Sequence, residues 1–129
     1  MQSSNTNGQG GAVLDRSETH DMISSEKVDG TAVYGRDREK IGSVHHLMIG
    51  KRDGKVRYAV VSFGGFLGMG EDYVPLPWNE LTYDEDLGGY RVNREAQSFK
   101  DAPRYGRDQE PNWDQSYSGG IDRYYGARA

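Results

Sequence analysis

Cysteine is absent from this chain of 129 residues, and with it go disulfides, thiolate zinc sites, iron–sulfur clusters and cysteine nucleophiles. Long apolar runs are missing too. No stretch approaches the ~18–20 residues needed to span a bilayer, and the N-terminus has neither the basic nor the apolar region of a secretory signal. No membrane insertion is expected, and cytoplasmic residence is the default. The chain also lacks a charge excess of one sign where a nucleic acid would need it. Its formal net charge is -4, and residues 27–105 hold twelve basic against twelve acidic side chains. Neutralising a phosphate backbone takes clustered Lys and Arg, so no nucleic-acid partner is expected. Hydrophobic residues are scarce at 34%, which predicts a small core.

Glycine is plentiful, with 18 copies, and it punctuates a series of short strand-like runs. Residues 1–21, rich in Ser, Asn, Gly and Gln, have too little apolar surface to offset chain entropy and read as a disordered tail. Order is expected from Met22-Ile23. A first β run covers Thr31 to Tyr34, a longer one Ile41 to Ile49, and another Val56 to Phe63. Asp53-Gly54 between the last two suits a two-residue turn of type I′. That turn sets Ile49 opposite Tyr58, Leu47 opposite Val60 and His45 opposite Ser62, and leaves Val44, Met48, Ala59, Val61 and Phe63 on the other face. Both faces are then largely apolar, so something must cover the second one.

Downstream, the prolines of Tyr73-Val-Pro-Leu-Pro77 confine that segment to an edge strand or a strand end. Trp78, expected to be largely buried beside Leu81, leads into a shorter hairpin whose turn is Asp84 to Gly89. Asn93 is a suitable N-cap for a short helix over Arg94 to Asp101, closed by Ala102-Pro103. The tail 106–129 carries Trp113, Tyr117, Ile121, Tyr124 and Tyr125, too aromatic for an inert linker, and is expected to dock. Many short strands with one helix favour a small barrel or rolled sheet.

The order of these elements, and several strings within them, resemble the PRC-barrel domain family. The opening resembles Val28-Asp-Gly-Thr-Ala-Val-Tyr34, and the first hairpin looks like Glu39-Lys-Ile-Gly-Ser-Val44 followed by Gly54-Lys-Val-Arg-Tyr-Ala-Val-Val61. Further matches are Gly64-Gly-Phe-Leu-Gly68, Val74-Pro-Leu-Pro-Trp78 with Leu81, Asp101-Ala-Pro-Arg-Tyr105 and the terminal Tyr124-Tyr-Gly126. The resemblance implies an all-β, partly open barrel of about six strands with one short C-terminal helix and flexible tails, the domain proper covering 22–105. Two settings of the family are well known, the cytoplasmic domain of the photosynthetic reaction-centre H subunit and the C-terminal domain of a ribosome maturation factor. They imply, as alternatives, an accessory role in electron and proton transfer or in ribosome and RNA maturation. His46 and Gly50 stand where many members carry Asp, which removes two carboxylates from the first hairpin.

The residues themselves offer little catalysis. His45 and His46 invite a metal, but neighbouring strand residues point to opposite faces and no cysteine completes a set. The loop Gly64 to Gly70 lacks the spacing and following helix of a phosphate cradle. Glu71-Asp72 and Asp84-Glu85-Asp86 have no partnering base or nucleophile in any motif and read as solvated turn charges. The expectation is a non-catalytic protein-binding or self-assembling module without cofactor or metal. Its interface is expected at Val44, Met48, Val61, Phe63, Phe66, Leu67 and Met69, which would bury an apolar patch in a homodimer. Asp53, Gly54, Pro77, Trp78 and Leu81 are expected to serve the structure.

Overall fold

A computed structural model describes residues 18–64 and 72–126. Six strands form one curled, half-barrel sheet: β1 (Ala32–Tyr34), β2 (Lys40–Ile49), β3 (Val56–Phe63), β4 (Tyr73–Pro77), β5 (Leu81–Asp84) and β6 (Gly89–Val92), in the order β4-β3-β2-β1-β6-β5. All neighbours run antiparallel except β1 and β6, which are parallel. β4 lies at an edge, where Pro75 and Pro77 do least damage to the ladder, as their lack of an N–H demands. A single turn of helix, α1 (Ser25–Val28), precedes β1, capped by the Ser24 hydroxyl. A longer helix, α2 (Gln115–Tyr125), ends the described chain.

The β2–β3 hairpin exists, but not in the register that Asp53-Gly54 suggests. The ladder closes on Gly50 and Lys55, with the Gly50 N–H donating to the Lys55 carbonyl at 2.7 Å. Only Gly54 of the turn adopts a positive φ, at 72°, whereas type I′ requires it at both central residues. The Asp53 carboxylate instead accepts from the Lys55 N–H and pairs with Arg57 at 2.9 Å. Two bulges then shift the pairing. Ile49 faces Val56, Arg57 is skipped, Met48 faces Tyr58, Leu47 faces Ala59 and His46 faces Val60; His45 is skipped next, and Val44 faces Val61. The expected pairs Ile49–Tyr58, Leu47–Val60 and His45–Ser62 are therefore not formed.

The bulge at His45 decides what is core. An extra residue lets Val44 and Leu47, three apart, share one face with Val61 and Ala59. That face continues through Val74 and Leu76 of β4 and joins Phe63, Phe99, Leu81, Val92, Ile121 and Tyr125 in one buried cluster. Gly42 sits on the same face opposite Phe63. A Cβ there would lie 2.5 Å from the Ser62 carbonyl oxygen and 3.0 Å from the Phe63 ring. Gly42→Ala is therefore expected to cost about 1–3 kcal/mol through forced strand separation, readable as a lower urea midpoint. An unchanged midpoint would show that the two strands part freely.

The other face of β2–β4 bears Ser43, Ser62 and Tyr73 in one row, His46, Val60 and Pro75 in the next, then Met48, Tyr58 and Pro77. Val60 and Pro75 are fully buried, so this face is covered, and the cover is the chain's own C-terminal segment. Tyr105 extends the β4 edge by exchanging two backbone hydrogen bonds with Tyr73, at 2.8 and 3.0 Å. The Trp113 ring lies 5.9 Å from Tyr58, whose hydroxyl donates to Asp122 at 3.0 Å. The aromatic tail thus docks in cis.

Helix structure falls elsewhere than expected. Asn93 to Asp101 forms only a short 3-10 turn, Ala96–Phe99. The α-helix comes later, begun by the Asp114 side chain accepting the Tyr117 N–H and ended by Gly126 at φ 66°. Adjacent Gly119 and Gly120 hide it from a propensity reading, but Ile121 and Tyr125, one turn apart, bury themselves and hold it. A Cβ at Gly120 meets nothing within 4 Å. Gly120→Ala should accordingly raise stability by about 0.5–1 kcal/mol, seen as a higher melting temperature; a fall would mean that the helix is not held as described.

Candidate functional site

Three clusters of polar side chains stand out from the sheet. The first is a cavity of about 300 Å³ lined by Asn79, Glu80, Thr82, Arg91, Asn93 and Arg94. Glu80 comes from the 3-10 turn Trp78–Glu80, Thr82 and Arg91 face each other across β5 and β6, and Arg94 follows β6. Arg94 makes a two-pronged contact with Glu80 at 2.6 and 3.2 Å and donates to the Tyr125 carbonyl at 3.3 Å. Its guanidinium stands 5.1 Å over the Tyr125 ring. The hydrogen bonds to Glu80 push Arg94 further above its ordinary value. One side chain therefore ties the turn, the end of β6 and α2 together.

Beside it, Asp84 lies 3.6 Å from Arg38 and 3.4 Å from Arg91. The Leu87 N–H, followed by these charges, holds its carboxyl below the usual range. A depressed carboxylate stabilises the fold fully above its unfolded value, about pH 3.9, and that contribution is lost as pH falls through the folded value. The urea midpoint should therefore drop below about pH 4, and Asp84→Asn should flatten that drop. An acid limb unchanged in the variant would assign it to other carboxylates.

The second cluster is at the N-terminal end. Glu18, nearly buried, accepts from the Tyr83 hydroxyl at 2.8 Å and lies 3.3 Å from Lys27. Burial, then the hydrogen bond to this carboxylate, raises Tyr83. Order therefore reaches back at least to Glu18, four residues before the expected start, because a buried carboxylate needs partners and finds them here.

The third is the histidine pair. His45 is the bulged residue, and the bulge turns its ring to the side that His46 occupies: their Nδ1 atoms are 2.8 Å apart. The His45 ring stacks on Tyr73 at 4.4 Å. Burial, and after it His45, lowers the His46 imidazole below its ordinary value. The expectation that these neighbours face apart fails because it assumes an unbroken strand. Among the described residues, no group of three or more His, Cys, Asp or Glu is placed to hold a metal.

Of the expected interface, Val44, Val61 and Phe63 are corrected: they are 1%, 0% and 3% exposed inside the chain's own core. They share one face of the hairpin as expected, but that face is the one turned inward. Met48 lies on the outer face, half-buried, next to Ile49, which is 48% exposed. Phe66, Leu67 and Met69 lie outside the described residues. Asp53 and Gly54 occupy the turn, and Pro77 is buried opposite Tyr58. Leu81 is buried in the core. Trp78 is half-buried and packed against the core, and it meets Tyr90 edge to face at 5.4 Å.

A family model for the PRC-barrel domain matches residues 20–95, and the chain belongs to that family. It is similar to an uncharacterized protein of Deinococcus radiodurans, 31% identical over 80 residues, a match covering 62% of this chain and 28% of that protein. Among the described residues, no helix is long and apolar enough to cross a membrane.

Proposed function

We propose that this PRC-barrel domain is a non-catalytic binding module that works in the cytoplasm by holding a protein partner, a second copy of itself first among them. The observation that carries the reading is the free apolar end of the β2–β3 hairpin. Ile49 is 48% exposed, its ladder partner Val56 is half-covered, and Met48, which leaves the opposite face of the same strand end, is half-covered too. Apolar side chains left uncovered at a strand end offer a contact site, and one site meeting its own copy serves both subunits of a twofold pair. The acidic groups nearest the cavity point away from acid–base chemistry. Glu80 is engaged by Arg94 and Asp84 by Arg38 and Arg91, and pairs of this kind hold strands together.

Sedimentation equilibrium across micromolar concentrations tests the reading. A mass rising towards twice 14.4 kDa is expected, with Ile49→Asp weakening the association because it places an unpaired charge in the contact. A mass that stays at the monomer value throughout removes self-assembly.

A further inference from the structure

We propose that His45 and His46 together chelate a divalent transition-metal ion of tetragonal geometry, Cu²⁺ before Ni²⁺, with water in the remaining positions. In a regular strand two neighbours cannot share an ion, since their side chains leave opposite faces. Here the ladder skips His45 between the pairs Val44–Val61 and His46–Val60, and both rings come to one side with planes 73° apart. With one proton on Nδ1 the two rings share a hydrogen bond. When both protons sit on Nε2, two Nδ1 lone pairs face one gap, and modest ring rotation aims them at a common point.

The close approach of the two nitrogens favours a narrow ligand angle. Imidazole nitrogen binds first-row ions at about 2.0 Å, and nitrogens 2.8 Å apart at that length subtend about 90° at the ion. This is the angle between adjacent positions of a square or octahedron, which Cu²⁺ and Ni²⁺ prefer. A tetrahedral zinc site needs its nitrogens about 3.3 Å apart at the same bond length. The order of affinities among first-row ions places copper first. The surroundings agree with a cation. Tyr73 stacks on His45 and fixes its ring, His45 is open to solvent, and the carboxylates of Glu110 and Asp29 act on His46 through their charge.

The chain has three histidines, and the remaining one, His20, lies 3.1 Å from Glu85 in another part of the fold. It is the internal control. Full-length chain without a histidine tag is titrated with Cu²⁺ near neutral pH and followed by electron paramagnetic resonance. One equivalent should bind with hyperfine structure from two nitrogens. His45→Gln or His46→Gln should each weaken binding about a hundredfold, since the second ring binds as an intramolecular ligand, while His20→Gln leaves it unchanged. Zn²⁺ should compete poorly, and binding should fade in acid, where protons compete for the rings. A signal from one nitrogen or none, or binding that His45→Gln leaves intact, overturns the proposal. His45 is exposed, so that variant keeps its fold.

Discussion

Truncating Ile121 to Ala is expected to cost about 2–5 kcal/mol, measured by urea unfolding, although the residue lies beyond the part of the chain that reads as the domain proper. Ile121 is fully buried in the cluster that contains Val74 and Leu76 of β4, and domains of this size are stable by only about 5–15 kcal/mol. The loss should not depend on protein concentration, because the helix folds onto its own sheet. A cost below about 1 kcal/mol, or one that vanishes on dilution, would mean that the helix serves another copy. Shortening the chain to end at Gly106 should go further, since it bares Val60, Pro75 and Tyr58 along with the helix's own contacts. The shortened chain is expected to lose its cooperative transition.

Phe99→Ala should be of similar severity, about 3–5 kcal/mol. The ring is completely buried, 5.1 Å from Phe63 on one side and 6.2 Å from Tyr125 on the other. It is the link through which the sheet and α2 share one core, held there by the 3-10 turn Ala96–Phe99. Removing it leaves a void that neither neighbour can fill without giving up the other. Thermal melts should show the loss, and Phe99→Leu should recover part of it by restoring volume. A variant within about 1 kcal/mol of the parent would show that the two aromatic neighbours close on each other.

How far the sequence revealed this arrangement depended on whether the signal was local. The β run before Gly35, the long hairpin, the edge placement of the proline strand and the short hairpin after Trp78 were all visible, because pattern and turn chemistry act within a few residues. Register was not. Asp53-Gly54 favours one turn geometry, but the side chain of Asp53 is drawn to Lys55 and Arg57, and bulges at Arg57 and His45 carry no sequence mark. That miss propagated: it exchanged the faces of Leu47 and Met48 and separated two histidines that touch, whereas Val44, Val61 and Phe63 were sent to a surface by a separate choice, which of two apolar faces turns inward. The helix was missed for a different reason. Gly119-Gly120 argues against it locally, and only the burial of Ile121 and Tyr125 against distant residues favours it. Arg94 carried no signal either, since its partners Glu80 and Tyr125 come from separate elements.

The strand order also sets a timetable. β1 is three residues long, yet it pairs with β2 on one side and in parallel with β6 on the other, through Val33–Tyr90 and Tyr34–Arg91. The β2–β3–β4 meander and the β5–β6 hairpin can each zip up from neighbouring sequence, but they become one sheet only when β6 reaches back to β1. Contacts between such distant parts of a chain form late and slowly. During synthesis, β1 therefore waits with a bare edge until nearly the whole domain has emerged from the ribosome. In refolding, the clasp between β1 and β6 should be the last part of the sheet to gain protection from hydrogen exchange.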